Sequence, residues 1–105
     1  MAWIYLAIAG LFEIGWPLGL KLSQGGQYKV TGIILAVVSM AISGFFLWMA
    51  QRTIPIGTAY AVWSGIGAAG TFLVGILFFS DPASFWRIAS AFLIIMGVIG
   101  LKLSA

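Results

Sequence analysis

Glu13 lies in Met1–Leu20, a stretch whose other residues are all uncharged and mostly apolar. If that stretch enters a bilayer as a helix near Trp3, a rise of about 1.5 Å per residue carries Glu13 close to mid-depth. An ionised carboxylate is costly in hydrocarbon, so an acid placed there is read as functional by default. The competing reading is a structural pairing with a buried base, and no span interior contains one. Gly10, Trp16, Pro17 and Leu20 share the Glu13 face at helical spacings of three, four and seven. Gly10 leaves room beside the carboxylate. Trp16 supplies an aromatic wall one turn away, with an indole N–H able to donate a hydrogen bond. Pro17 has no N–H, so the Glu13 carbonyl loses its helical partner and a kink or water-accessible distortion is expected beside the acid.

A second cluster runs through Gly57-Thr58-Ala59-Tyr60-Ala61-Val62-Trp63-Ser64-Gly65. Tyr60, Trp63 and Ser64 are spaced to share one helical face and offer a phenol, an indole and a hydroxyl. Trp3, Trp48 and Trp86 lie near span ends and read as an interfacial belt. Trp16 and Trp63 are deeper, so they either line a chamber or pack within a bundle. Ser39 and Ser43 form a polar stripe or bond their own backbone. Gly65-Ile66-Gly67-Ala68-Ala69-Gly70 matches the dinucleotide pattern G-x-G-x-x-G, but no strand precedes it. Inside a membrane helix, Gly65, Gly67 and Gly70 fit close packing or a bend, and a bend would let a chamber open to either side. Gly15 and Gly19 satisfy G-x-x-x-G, yet Pro17 between them makes a doubtful dimer face. Leu93, Gly97 and Gly100 are a more credible packing stripe between copies. Asp81 precedes Pro82 and reads as a turn or a solvated charge.

These residues need elements to hold them. The chain has 105 residues, 63% hydrophobic and 7% charged, with a mean hydropathy of +1.17. That composition is too apolar for a soluble domain and indicates an all-α integral membrane protein. Cysteine and histidine are absent, which excludes disulfides, thiolate metal sites and the usual neutral-pH acid or base. Glu13 interrupts the first apolar run and no basic segment precedes it, which argues against a cleaved signal peptide. Four spans are expected, at about residues 3–22, 30–50, 56–79 and 87–103, joined by short punctuated linkers. The fourth has a short charge-free core, Ile88–Leu101, so Arg87 and Lys102 must snorkel outwards. Lys21, Lys29 and Arg87 fall on one side, Arg52 and Lys102 on the other. That balance predicts insertion in both orientations. Four short helices enclose little, so a homodimer is the expected unit, bringing two copies of Glu13 to one chamber.

No catalytic nucleophile, metal cluster or phosphate cradle supports an enzyme. The +3 net charge comes from scattered membrane flanks and gives no nucleic-acid patch. Desolvation favours the protonated form of a carboxylate, so a proton and a cation would compete for the same group. In a chamber open to one side at a time, competition becomes exchange. The residues therefore indicate a proton-coupled cation antiporter, with protons as the coupling ion and no cofactor.

The whole chain resembles the small multidrug resistance transporters of bacterial inner membranes. The most specific segments are Glu13, Pro55-Ile56 leading into Gly57–Gly65, and the Gly97–Gly100 region. The resemblance implies an antiparallel, dual-topology homodimer of four-helix chains with a shared site built from both glutamates. Gly10-Leu11-Phe12-Glu13 with Trp16, and the ending Ile99-Gly100-Leu101-Lys102, look like the guanidinium-exporting subtype. A flat guanidinium suits a bidentate carboxylate pair and an aromatic face. By resemblance, Glu13 binds substrate and proton, while Trp16, Ser43, Tyr60 and Trp63 line the site. Pro17, Gly44 and Ser64 depart from the subtype, where a small non-proline residue, an aromatic and a threonine are commoner. Less bulk at Gly44 would widen a portal for alkylated guanidinium or larger cations. The alternatives are an exporter of quaternary ammonium or other lipophilic cations, and a non-transporting partner of a paralogous subunit.

Overall fold

The computed structural model describes residues 1–104, which form four α-helices. They are α1 (Ala2–Ser23), α2 (Lys29–Ala50), α3 (Ile56–Phe79) and α4 (Phe85–Leu103). Each is long and apolar enough to cross a membrane. The 22 residues of α1, at about 1.5 Å each, match a hydrocarbon core of about 30 Å. The helix starts and stops follow local chemistry. Gly26 takes a positive φ of 80° in the α1–α2 turn, a conformation glycine adopts without a Cβ penalty. Pro55 sits just ahead of α3. Ser80 closes α3 in the left-handed region with φ 58°, and the Asp81 N–H donates to the Gly75 carbonyl at 3.0 Å.

α4 starts at Phe85, two residues ahead of the expected Arg87. Ser84 is its N-cap, accepting a hydrogen bond from the Arg87 N–H at 3.4 Å, and a serine cap sets a helix start independently of hydrophobicity. The Arg87 side chain turns back to the loop, its Nε donating to the Pro82 carbonyl at 2.8 Å. Lys102 Nζ stands 5.7 Å from the Trp3 ring centroid, and Arg52 lies 4.6 Å over Trp48. Cations at span ends thus rest on interfacial indoles.

In space the helices follow the order α2, α1, α3, α4. α1 packs along both α2 and α3, α2 barely meets α3, and the α4 backbone neighbours α3 alone. The α1–α2 seam is made of backbone. A Cβ on Gly19 would stand 2.5 Å from the Gly32 carbonyl oxygen, and one on Gly32 would stand 2.5 Å from that of Gly19. Gly15, in turn, admits the Ser39 hydroxyl. The Gly15/Gly19 pair therefore serves a seam within the chain, which explains how it tolerates Pro17 between its members.

The array measures 43 × 34 × 17 Å, its short dimension less than half of the longest. Its core is accordingly small: Leu6, Ala50, Ile54, Ala59 and Val62. α4 has no buried residue at all, and Leu93 and Gly97 lie on its uncovered surface.

Candidate functional site

Glu13 is half-buried on the side of α1 that faces α3. The Trp16 indole Nε1 donates to its Oε1, as the three-residue spacing predicts. α1 remains helical through Pro17, so the proline is accommodated by a missing hydrogen bond and not by a break. Around the carboxylate is a cavity of about 250 Å³, walled by Glu13, Trp16 and Pro17 from α1 and by Ser64, Gly67, Ala68 and Thr71 from α3. No lysine or arginine reaches it. An uncompensated acid beside an aromatic wall and two hydroxyl-bearing side chains suits a small cation with several N–H donors.

Gly67, on α3, provides the space for the acid. A Cβ there would collide with Cγ of Glu13. Gly10 has a different part from the one expected of it. It is buried under Ile66 of α3, whose Cγ2 would lie 2.6 Å from a Cβ at residue 10, so it seats a helix contact and does not border the cavity. Gly65 and Gly70 seat Val98 and Ile14 in the same manner. Of the two readings of the helix-three glycines, close packing is the one visible here, and α3 runs unbroken from Ile56 to Phe79.

Ser43 and Trp63 form a separate polar chain. Trp63 Nε1 donates to Ser43 Oγ at 2.8 Å, and Ser43 Oγ donates to the Ala9 carbonyl at 2.7 Å. Ala9 is one turn before Glu13, and in a regular helix its carbonyl also accepts the Glu13 N–H. The chain ties α3 and α2 to the turn of α1 that carries the acid without touching the carboxylate. The Tyr60 ring lies tilted against that of Trp63, 5.4 Å between centroids, but is 58% exposed, outside the Glu13 cavity. Gly44 is exposed, with open space where a side chain would stand.

Thr71 is not among the residues the sequence singles out, whereas Ser64 is, as the hydroxyl of the Tyr60–Trp63–Ser64 face, and it is the one of those three that borders the cavity. The signal was present in the spacing: Ser64, Gly67, Ala68 and Thr71 recur at three and four residues, one face of α3. Among the described residues, no cluster of His, Cys, Asp or Glu could hold a metal.

The sequence profile of the family described as Small Multidrug Resistance protein matches residues 1–94. Curated relatives align along essentially their whole length. The chain is 51% identical over 105 residues to a protein of Yersinia pseudotuberculosis named "Guanidinium exporter", covering all of both chains. It is 49% identical to one of the same name from Salmonella typhimurium, covering 100% of this chain and 99% of the relative. It is 46% identical to another from Escherichia coli K12, covering 99% and 98%. The chain belongs to the small multidrug resistance family and is a multi-pass transport protein of the bacterial inner membrane, not an enzyme.

Proposed function

We propose that the protein is a proton-coupled antiporter that exports guanidinium or small guanidinyl cations by alternating access, working as an antiparallel, dual-topology homodimer. The observation that carries this reading is Glu13 itself, an acid with no basic neighbour in a cavity fit for a small cation. Trp16 engages one carboxylate oxygen and leaves the other free to meet an N–H of the substrate. A protonated carboxyl offers no charge to a guanidinium, so arrival of the cation favours proton release and arrival of a proton favours cation release. The names of the relatives support guanidinium as the substrate. The balanced Lys/Arg distribution and a fourth helix none of whose residues is buried within one chain support a dimer of opposite copies. Bending of α3 at Gly65, Gly67 and Gly70 supplies the change of access.

Open space at Gly44 favours extending the range to alkylated guanidinium, with quaternary ammonium as the second substrate class. Proton-driven uptake of guanidinium into proteoliposomes, compared with uptake of a bulky aromatic cation, separates the two. Guanidinium exchange is expected in the native protein and loss of roughly 100-fold in Glu13→Gln, since a neutral amide replaces the charged acceptor of a charge-assisted hydrogen bond. Undiminished exchange in that variant would remove the mechanism. No exchange by the purified native chain would favour a subunit that acts only beside a paralogue.

A further inference from the structure

α1 and α3 enclose a second cavity, of about 220 Å³, on the side of Pro17 away from Glu13. Pro17 and Thr71 border both this cavity and the one at the acid, so the two adjoin along one groove. On α1 the groove is marked by Glu13, Pro17 and Lys21 at steps of four residues, about one helical turn each. Lys21 and Asp81 both line the second cavity. Lys21 is in the last turn of α1. Asp81 is placed by the end of α3, where the left-handed Ser80 turns the chain and the Asp81 N–H is held by the Gly75 carbonyl. Its carboxylate then lies against Gly75, where a Cβ would obstruct it. Glu13 and Asp81 are the chain's only two acids, and they border successive cavities of the same groove.

We propose that the Asp81 cavity is a vestibule through which the organic cation reaches and leaves Glu13, and that Asp81 makes it passable by offsetting the charge of Lys21. This rests on Glu13 being the cation-binding group. A cation moving along the groove must pass the Lys21 ammonium. With both residues charged the vestibule is neutral overall. Without Asp81 it would carry a net positive charge and oppose entry. Asp81 also offers a transient carboxylate partner for a guanidinium, and the Thr71 hydroxyl accepts N–H bonds at the boundary with the inner cavity. Charges lining a narrow, low-dielectric mouth alter association rates by about 10- to 1,000-fold, so the effect belongs to the rate of entry, not to equilibrium affinity.

The test uses full-length protein in proteoliposomes, with Asp81→Asn, Asp81→Glu, Lys21→Gln and the double variant Asp81→Asn/Lys21→Gln. Initial rates of proton-driven guanidinium exchange are read at low and high salt, and equilibrium guanidinium binding by calorimetry. Asp81→Asn is expected to slow exchange about tenfold at low salt. The defect should shrink at 1 M salt, where the screening length falls to about 3 Å. Asp81→Glu and the double variant should recover the native rate, and affinity should stay within about twofold throughout. An unchanged rate in Asp81→Asn overturns the proposal. So does a defect that salt and the double variant leave in place, or one accompanied by weakened equilibrium binding, since those mark damage to the turn. A native protein that exchanges no guanidinium removes the reading of Glu13 instead, which keeps the two failures apart.

Discussion

A carboxylate has two oxygens, and the Trp16 indole already engages one of Glu13's. That bond fixes the plane of the group and leaves a single edge toward the cavity, so geometry as well as charge selects the guest. The neighbour that makes this possible is Gly67, because the Glu13 side chain occupies the place a Cβ would take. Gly67→Ala should therefore separate folding from binding. Alanine is the better helix former by about 1 kcal/mol, so the helix itself is not weakened. Displacing the acid should cost about 1–3 kcal/mol, or roughly 5- to 150-fold in guanidinium affinity. Calorimetric titration of the folded variant checks it, and wild-type affinity would show that Glu13 can settle elsewhere. Gly70→Ala is the control, since the contact it disturbs is with Ile14.

At the scale of the helix, Ser43 joins three elements through two hydrogen bonds. Ser43→Ala removes both and strands the half-buried Trp63 N–H, which should cost about 1 kcal/mol of stability, the lower end for an unpaired donor. Thermal unfolding in detergent measures that cost. Guanidinium binding should fall less than in Gly67→Ala, because Ser43 acts on the turn before Glu13 and not on the carboxylate. An affinity loss with unaltered stability would instead place Ser43 in the site. The four spans were legible because charge-free runs of helical length have few other readings in a chain this apolar. The start of α4 was not, since Ser84 sets it by capping and hydrophobicity carries no trace of that. Glu13 with Trp16 was legible from spacing alone. Gly10 was assigned the room that Gly67 provides, because spacing along α1 says nothing about what α3 presents opposite. Tyr60, Trp63 and Ser64 share a face only loosely: at about 100° per residue, Trp63 and Ser64 diverge enough for one to meet Ser43 and the other the cavity.

The whole molecule is a slab that leaves many large apolar side chains uncovered, among them Phe85, Trp86, Leu93 and Leu103. Lipid covers such a surface, and so does a second copy. Since the chain lacks cysteine, topology can be read with a single introduced thiol. Gln27→Cys, in the α1–α2 linker, should be labelled by a membrane-impermeant reagent to similar extents from either side of the membrane. One-sided labelling would remove dual insertion, while Gln24→Arg, which adds a fourth cation to the side of Lys21, Lys29 and Arg87, should skew the ratio by breaking the Lys/Arg balance.

The unequal seams of this slab have a mechanical consequence. α1 and α2 are fastened backbone to backbone at Gly19 and Gly32, whereas α2 scarcely reaches α3. The chain thus divides into a firmly fastened α1–α2 hairpin and a looser α3–α4 hairpin, which meet along essentially one joint, the α1–α3 groove. Glu13 is set in that joint like a strain gauge between two plates. Any rocking of one hairpin against the other changes the room around the carboxylate, and any change in what the carboxylate holds exerts its force where leverage on both hairpins is greatest.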